Sequence, residues 1–385
     1  MLGSHPFPRW QINPKWALVS FLAVILVVVP AHGQQHPVVV SPEVGSDNRV
    51  TFRIQAPNAK EVTVSIESVK EPLSLKRGDD GVWVGTTEPL APDYYGYSFR
   101  VDGGTLLDPL NPLMKPNLLH PGSMVHVPGP STLPWEVSDV PHGIVHHHFY
   151  HSRIIGDDRD FFVYTPPKYD PHDKRLYPVL CLLHGFSDDA SAWTAVGQAN
   201  VILDNLIAQR KAKPMIVVMP LGYGVMDFVS RVRGGYDHAV IRMESFDKFR
   251  EALLTEVMPQ VEATYKVANG PNWRAIAGLS MGGAESLYIG LNALDRFGWI
   301  GAFSSGGITG DPEKDFPAIG PKTSSQIRLL WIACGKDDHL VDANQKTRDW
   351  LLSKGLHLTW TETPGAHEWP VWRRNLAVFA SLIFQ

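Results

Sequence analysis

The sequence predicts a small all-β sandwich followed by an α/β domain with a doubly wound, mostly parallel sheet. Short strands separated by turn residues fill residues 38–128, strands and helices alternate through residues 141–385, and residues 129–140 form a linker between them. A length of 385 residues agrees with two domains, because a domain usually has about 100–200 residues.

A secretory signal peptide is predicted for residues 1–33. Basic residues precede the apolar run 17–29, and the small residues Ala31 and Gly33 follow it, as a signal cleavage site requires. The run is too short for a membrane-spanning helix, which needs about 20 apolar residues. We therefore expect a secreted or periplasmic protein that does not associate with a membrane after the signal is cleaved.

The composition favours a folded core and gives no reason to expect a nucleic-acid partner. Hydrophobic residues make up 44% of the chain and charged residues 19%, which is typical of globular domains and not of disordered chains. Basic and acidic residues nearly balance, at 35 and 39, so the net charge of −4 predicts no basic surface for nucleic acid or an anionic membrane.

The two cysteines, Cys181 and Cys334, are predicted to be free. Each lies in an apolar run that is typical of a buried strand. Strands that are not neighbours in a sheet are too far apart for a disulfide, so we expect two buried thiols that act as small apolar side chains.

Residues 38–128 show the pattern of a sandwich. Four runs alternate polar and apolar side chains or are rich in β-branched residues, and turn-forming residues separate them; the runs are residues 50–54, 62–66, 82–84 and 95–101. The aromatic residues of these runs are expected to fill the core in preference to binding glycan. A stretch rich in proline and glycine follows, from Pro109 to about Pro134, and no periodic segment is predicted in it.

The second domain begins with a predicted antiparallel pair, residues 145–155 and 161–165. Strands and helices then alternate, which is typical of a parallel sheet covered by helices on both faces. The predicted strands are residues 178–183, 215–219, 273–277, 299–304, 329–334 and 357–360, and the predicted helices are residues 198–210, 245–264, 343–354 and the segments that begin at Gly282 and Trp369. A ligand site is expected at the carboxyl ends of the strands.

The most informative motif is Gly278-Leu279-Ser280-Met281-Gly282, which has the form G-x-S-x-G. It lies between an apolar strand and a helical segment, which is the context that a nucleophile elbow requires. Such a turn holds the serine in a strained conformation above the sheet, and neighbouring backbone comes so close that glycine is needed on both sides. The sequence therefore predicts Ser280 as a nucleophile.

An acid and a base are predicted on the loops after two later strands. A serine hydroxyl needs a general base, and an elbow serine is followed along the chain first by an acid and then by a histidine. His367 occupies the place of the base, with His339 as the alternative. Asp338 occupies the place of the acid, with Asp337 second and Asp342 third.

Two backbone amides are predicted to stabilise a negatively charged oxygen during the reaction. One is the N–H of Met281, immediately after the nucleophile, and the other is the N–H of Phe186, on the loop after an earlier strand. Gly185 lets that loop come close to the nucleophile, and the side chain of His184 is assigned a structural role.

Four aromatic residues are predicted to contact the substrate. Tyr223 and Phe228 lie in the loop 221–244, which leaves a central strand and is long enough to be a substrate loop. Trp193 and Trp369 flank the predicted oxyanion and histidine loops, where they are placed to stack on an aromatic acid or a sugar. Packing in the interior is the alternative for both tryptophans.

No metal or cofactor is predicted. His146, His147 and His148 are consecutive in a predicted strand, and with His151 they suggest a metal site at first sight. Successive side chains of a strand point to opposite faces, so three consecutive histidines do not converge on one ion.

The second domain resembles the putative-esterase family of α/β-hydrolases, which includes feruloyl and acetylxylan esterases, enterochelin esterases and esterase D. The resemblance covers residues 141–385 and rests on residues 162–169, 183–186, 278–283, 335–338 and 365–367. It implies an α/β-hydrolase fold, ester hydrolysis and Asp338 as the acid. The first domain is similar, over residues 94–103, to the early-set immunoglobulin-like domains that precede some of these esterases.

The residues and the resemblance together predict a metal-independent serine ester hydrolase that works through an acyl-enzyme. The family and the signal peptide favour feruloyl or acetyl esters of plant polysaccharide, so the expected partner is a small-molecule or polysaccharide ester. The alternatives are a siderophore esterase of the enterochelin type, an acyltransferase with a sugar acceptor, and a non-catalytic glycan-binding protein. The complete order of serine, acid and histidine argues against the last, because a binding module does not need all three.

Overall fold

The structure, a computed structural model, describes residues 39–230, 235–236, 238–306, 311–320 and 322–385. The signal peptide predicted for residues 1–33 lies outside these ranges, as does part of the predicted substrate loop. Within the described ranges, no helix is both long enough and apolar enough to cross a membrane.

The first domain is a sandwich of two β-sheets. Its strands are β1 (Glu43–Val44), β2 (Val50–Gln55), β3 (Val62–Ile66), β4 (Leu73–Ser74), β5 (Lys76–Arg77), β6 (Val82–Thr86), β7 (Asp93–Val101), β8 (Gly104–Leu106), β9 (Met114–Lys115) and β10 (Gly122–Val127). One sheet has the order β1-β2-β6-β5 and the other β4-β3-β7-β10-β9, with β8 paired to β7. Alternate residues along the longer strands face the core, as Val50, Phe52 and Ile54 do in β2.

Strand β10 lies in the proline- and glycine-rich stretch for which the sequence predicts no periodic segment, and this prediction is wrong. β10 pairs with β7 inside its sheet. Its side chains face two cores, because Val125 packs inside the sandwich whereas Met124 packs against the second domain. A strand that is buried on both faces has no alternation of polar and apolar residues, which explains why the pattern did not reveal it.

The second domain is built on an eight-stranded sheet, which confirms the predicted mostly parallel fold. Its strands are β11 (Ile144–His151), β12 (Asp158–Thr165), β13 (Val179–Leu183), β14 (Ile216–Pro220), β15 (Arg274–Leu279), β16 (Trp299–Phe303), β17 (Leu329–Gly335) and β18 (Thr359–Thr363). They lie in the order β11-β12-β14-β13-β15-β16-β17-β18. β12 pairs antiparallel with β11 and β14, and the other neighbours pair parallel.

Helices cover both faces of this sheet. They are α1 (Ala192–Ala195), α2 (Ala199–Ala208), α3 (Ala239–Ala252), α4 (Met258–Thr264), α5 (Met281–Asn292), α6 (Pro312–Asp315), α7 (Val341–Ser353) and α8 (Trp369–Leu382). α3 begins at Ala239, six residues before the start of the helix predicted for residues 245–264. A π-helical segment, Leu253–Val257, joins α3 to α4. α2 and α8 pack on one face, and α3, α4, α5 and α7 pack on the other.

Both cysteines are free and buried, as predicted. Cys181 on β13 and Cys334 on β17 are separated in the sheet by β15 and β16, which prevents a disulfide. Burial raises the pKa of each thiol to about 12, so neither forms a reactive thiolate at neutral pH.

An ion pair without solvent exposure holds the two domains together. Arg373 on α8 and Asp93 on β7 both have 0% side-chain exposure, and their charged atoms lie 2.8 Å apart. The same guanidinium donates hydrogen bonds to the carbonyl oxygens of Val196 and Tyr94. Because water does not reach these groups, each charge depends on its protein partners, and α8 is fixed against the sandwich.

Arg373→Ala is expected to lower the free energy of unfolding by about 3–5 kcal/mol, because it leaves the Asp93 carboxyl buried without its partner. Arg374→Ala is the matched control. The Arg374 side chain is 38% exposed and 3.6 Å from the same carboxyl, and its removal should cost less than about 1 kcal/mol. Urea denaturation measures both variants, and equal losses would contradict the assignment of Arg373 as the anchor.

Candidate active site

Ser280 lies on a sharp turn between β15 and α5, with a φ of 51° and a ψ of −114°. This conformation is strained for a residue with a side chain, and it is the conformation expected of a nucleophile elbow. Two glycines make the turn possible. A Cβ on Gly278 would lie 2.5 Å from the carbonyl oxygen of Gly282, and a Cβ on Gly282 would lie 2.5 Å from that of His184.

Ser280, His367 and Asp338 form a continuous chain of hydrogen bonds. Nε2 of His367 lies 3.0 Å from Oγ of Ser280, and Nδ1 lies 2.9 Å and 3.1 Å from the two carboxylate oxygens of Asp338. His367 follows β18 and Asp338 follows β17, so both residues lie at the carboxyl edge of the sheet. When Nδ1 donates its proton to the carboxylate, Nε2 is free to accept the serine proton.

The other candidates for base and acid do not complete this chain of hydrogen bonds. The side chain of His339 is 71% exposed and its Nδ1 lies 3.5 Å from Asp338, and among the described residues it makes no hydrogen bond to Ser280. Asp337 and Asp342 are exposed, whereas Asp338 is buried. The geometry therefore favours His367 over His339, and Asp338 over the two other aspartates.

Asp338 is held in its ionised form. Burial would raise the pKa of Asp338, but hydrogen bonds from His367 and from the backbone N–H of Leu340 keep that pKa below its ordinary value. An ionised carboxylate at Nδ1 fixes the orientation of the imidazole and stabilises its protonated form.

The loop after β13 lies directly beside Ser280. A Cβ on Gly185 would lie 3.5 Å from the Cβ of Ser280. The amide of Phe186 follows this glycine, and the amide of Met281 is in the first turn of α5, where helix geometry leaves an N–H without an intrahelical partner. The two amides predicted to bind an oxyanion therefore belong to segments that border the serine.

His184 anchors this loop. Its Nδ1 lies 2.8 Å from the carbonyl oxygen of Gly185, and the N–H of Gly222 donates to its Nε2 at 2.9 Å. Burial lowers the pKa of His184 and keeps the ring neutral, so that Nδ1 donates and Nε2 accepts. Because both ring nitrogens are occupied, the side chain has the structural role that the sequence predicts.

Three of the four aromatic residues predicted to contact the substrate are buried in the core instead, so the prediction is wrong for these three. Trp193, Tyr223 and Phe228 have exposed fractions of 1%, 0% and 0%. Nε1 of Trp193 donates to the carbonyl oxygen of Leu183, and the hydroxyl of Tyr223 donates to that of Asp188. These rings fill the core beneath the loops, and none of the three lines the cavity at Ser280.

A cavity of about 170 Å³ opens at Ser280, and both domains line it. Trp369, the fourth predicted aromatic residue, is part of its wall. The second domain also contributes Gly185, Phe186, Asp188, Leu279, His367 and Trp372, and the sandwich contributes Glu67, Lys115 and Asn117. The sandwich residues were missed by sequence reasoning, because domain packing brings them to the site and no local pattern marks them.

Glu67 of the sandwich binds the beginning of α8. Its carboxylate accepts hydrogen bonds from the N–H groups of Trp369 and Gly96, both at 2.9 Å. Burial would raise the pKa of Glu67, but Lys115, 3.6 Å away, and these amides hold that pKa below its ordinary value. A carboxylate at a helix N-terminus is favourable, and here it fixes the segment that follows His367.

Asp188 brings a buried carboxyl group to the cavity wall. It is 5% exposed, and Nδ2 of Asn117 donates to its Oδ1 at 3.0 Å. Burial raises the pKa of Asp188 to about 7, against the opposing effect of Lys115. A group that titrates near neutral pH therefore lies where the two domains meet.

Comparison with known families identifies the second domain. Residues 152–380 match the model of the Esterase family, which is described as putative esterase. The chain belongs to this family. This membership agrees with the α/β-hydrolase fold that the sequence predicts. The sandwich lies before the matched residues.

Two curated relatives of this esterase show how far the likeness extends. The chain is 30% identical over 361 residues to the Endo-1,4-beta-xylanase/feruloyl esterase of Xylanibacter ruminicola, a match that covers 92% of this chain and 46% of that protein. The chain therefore spans about half the length of that relative. It is 22% identical over 282 residues to the Iron(III) enterobactin esterase of Escherichia coli, covering 70% of this chain and 65% of that protein.

Solved structures share the architecture of this esterase. A ferulic acid esterase of Anaeromyces mucronatus, in complex with ferulic acid, matches with 26% identity and a TM-score of 0.56, covering 66% of this chain and 96% of that chain. The enterobactin esterase of Shigella flexneri matches with 20% identity and a TM-score of 0.64, covering 86% of this chain and 92% of that chain. The second match is a likeness of fold alone, and it is wide enough to include part of the sandwich.

The raised pKa of Asp188 makes stability depend on pH. The ordinary pKa of the group is 3.8 and the folded value is about 7, so between these limits the folded chain holds a proton that the unfolded chain has released. The free energy of unfolding contributed by this group therefore falls as pH rises towards 7. Asp188→Asn, which keeps the shape and the acceptor for Asn117, should gain stability relative to the parent between pH 5 and pH 8, on the order of 2 kcal/mol.

Urea denaturation of parent and Asp188→Asn at several pH values measures this effect. If the difference in unfolding free energy between the parent and Asp188→Asn stays constant from pH 5 to pH 8, Asp188 titrates at its ordinary pKa in the folded protein.

Proposed function

We propose that the chain is a serine carboxylic ester hydrolase that works through an acyl-enzyme, with Ser280 as nucleophile, His367 as base and Asp338 as acid. The observation that supports this most strongly is the pair of distances at the imidazole. Nε2 lies 3.0 Å from the serine hydroxyl, and Nδ1 lies 2.9 Å from the buried carboxylate. That arrangement suits transfer of the serine proton to the histidine.

In the first half of the reaction, Oγ of Ser280 attacks the ester carbonyl carbon and its proton passes to Nε2 of His367. The N–H groups of Met281 and Phe186 donate to the carbonyl oxygen, which becomes negatively charged. The tetrahedral intermediate then breaks its bond to the alcohol oxygen. The alcohol leaves with the proton from His367, and the acyl group remains on the serine.

In the second half, water attacks the acyl carbon and gives its proton to Nε2 of His367. The same two amides stabilise the second oxyanion. The intermediate breaks the bond to Oγ of Ser280, which takes the proton back from the histidine, and the free acid leaves. Asp338 stabilises the imidazolium in both halves, so one histidine serves as base and then as acid twice.

We propose feruloyl or acetyl esters of plant polysaccharide as the substrates. The relative that is 30% identical is named as both a xylanase and a feruloyl esterase. Another relative, 24% identical over 238 residues, is the acetyl esterase of Caldicellulosiruptor saccharolyticus. The export predicted from residues 1–33, to the periplasm or out of the cell, is consistent with a polymeric substrate, which a cell meets outside its membrane.

A siderophore trilactone of the enterobactin type is the second candidate. The fold of the Shigella flexneri enterobactin esterase matches 86% of this chain, whereas that of the Anaeromyces mucronatus ferulic acid esterase matches 66%. Both candidates are esters that the same residues would cleave, so they are distinguished by comparing substrates and not by mutating the nucleophile.

Substitution of the proposed triad tests the mechanism. Ser280→Ala should lower kcat for 4-nitrophenyl acetate roughly 10⁶-fold, because no nucleophile remains. Asp338→Asn should lower it roughly 10⁴-fold, because the asparagine favours the wrong imidazole tautomer. Asp337→Asn is the matched control, since Asp337 lies on the same loop and is exposed. A large loss in the control together with a small loss in Asp338→Asn would assign the acid to Asp337.

Substrate comparison tests the proposed ester class. The parent protein should hydrolyse methyl ferulate or 4-nitrophenyl acetate and release the corresponding acid from feruloylated or acetylated xylan. Hydrolysis of the small esters without release from xylan would reject the polysaccharide, and a higher kcat/KM for enterobactin would select the siderophore. Ester formation on an added sugar would identify an acyltransferase, and sugar binding without any hydrolysis would identify a binding protein.

A further inference from the structure

Asp338, His339 and His367 bring three potential metal ligands together on the side of the His367 ring that faces away from Ser280. Oδ1 of Asp338 lies 3.1 Å from Nδ1 of His367 and 3.5 Å from Nδ1 of His339. One ligand atom of each residue lies within 4.8 Å of the other two. The ligand atoms of a tetrahedral zinc ion lie about 3.4 Å apart, because each is bound at about 2.1 Å. The three side chains are therefore close to the spacing that such an ion requires.

The donor set of this cluster suits Zn²⁺ better than Mg²⁺ or Ca²⁺. Two imidazole nitrogens and one carboxylate oxygen are ligands that zinc commonly takes, whereas Mg²⁺ and Ca²⁺ take oxygen ligands. The side chain of His339 is 71% exposed, so an ion from solvent meets the cluster there, and water completes its fourth position. The buried carboxylate of Asp338 supplies negative charge at the inner end.

A metal ion on Nδ1 removes the general base. In the site without metal, Nδ1 of His367 donates its proton to Asp338, and Nε2 accepts the proton of Ser280. Zinc binds the lone pair of a nitrogen that carries no proton, so a neutral ring bound through Nδ1 has its single proton on Nε2. That nitrogen then donates to the serine hydroxyl and no longer accepts from it, so the serine is not activated.

The ion lies outside the space that receives the ester. His367 lines the cavity at Ser280, but Asp338 and His339 do not line it. A metal ion held by these residues therefore leaves room for the substrate and acts on the imidazole from behind. For this reason it should lower kcat and leave KM unchanged.

We propose that Asp338, His339 and His367 form an inhibitory site for a divalent transition-metal ion, with Zn²⁺ as the ion that fits the donor set. The ion is not needed for hydrolysis and opposes it, by holding the imidazole in the tautomer that cannot accept a proton. The inhibition rests on the proposed esterase function, whereas the binding of the ion does not. His339, which takes no part in the proposed triad, supplies the ligand that the triad itself lacks.

Inhibition of 4-nitrophenyl acetate hydrolysis tests the proposal, with each variant compared with its own rate in the absence of metal. Zn²⁺ should lower the parent kcat, EDTA should restore it, and Mg²⁺ at the same concentration should have no effect. His339→Phe keeps a ring beside His367, where the two ring centroids lie 4.7 Å apart, but removes the nitrogen ligand. The Zn²⁺ concentration that halves kcat should therefore rise at least about tenfold in this variant.

His357→Phe is the matched control for this substitution. His357 is an exposed histidine that precedes β18, whereas His367 follows that strand, so the two lie at opposite edges of the sheet. The control should keep the inhibition of the parent. A parent that Zn²⁺ does not inhibit, inhibition that His339→Phe leaves unchanged, or an increase in KM without a loss of kcat would overturn the site.

A binding measurement tests the site without hydrolysis. Zn²⁺ is titrated into Ser280→Ala by calorimetry, and His339→Phe in the same background should weaken its affinity at least about tenfold, whereas His357→Phe should not. Binding that His339→Phe leaves unchanged would overturn the site. Binding that depends on His339, in a protein whose parent cleaves no ester, would support the metal site and overturn the proposed hydrolase instead. The two failures are therefore distinguishable.

Discussion

The backbone of the Ser280 turn and the backbone of the loop after β13 approach each other so closely that no side chain fits between them. A Cβ on Gly282 would lie 2.5 Å from the carbonyl oxygens of both Leu183 and His184. This contact sets the serine turn beside the loop that carries the Phe186 amide, and the rest of the site is arranged around it. The neutral ring of His184 holds that loop in place, because its two nitrogens bind backbone on either side.

A second constraint acts between the domains and converges on α8. Arg373 ties the helix to Asp93 through a buried ion pair, and Glu67 binds its first amide, that of Trp369. The helix begins directly after the loop of His367, so both contacts restrict where the imidazole lies. The sandwich therefore contributes to the order of the site even before any substrate is bound, through charges whose partners are buried with them.

Features with a local signal in the sequence were predictable, and features made by distant contacts were not. The glycine-serine motif and the order of Asp338 and His367 identified side chains that the structure brings within hydrogen-bonding distance. Strand β10 was not predicted because both of its faces are buried. Trp193 was predicted to contact substrate because an aromatic residue beside a loop has the same sequence pattern whether its side chain is in the core or at the surface. The contact of Glu67 with Trp369 joins residues 302 positions apart, for which a single sequence has no signal.

The division of the chain into two domains separates the proposed chemistry from selectivity. The family model matches residues 152–380, which include the proposed nucleophile, acid and base and no residue of the sandwich. The ferulic acid esterase of Anaeromyces mucronatus likewise covers only 66% of this chain with 96% of its own. The sandwich adds Glu67, Lys115 and Asn117 to the wall of the cavity at Ser280. Such a domain leaves the reacting groups unchanged and alters the cavity wall beside them. It therefore changes which ester fits and not how the ester is cleaved. Members of this family that carry the sandwich should therefore share the hydrolytic step with single-domain members and differ from them in the part of the substrate that lies beyond the ester.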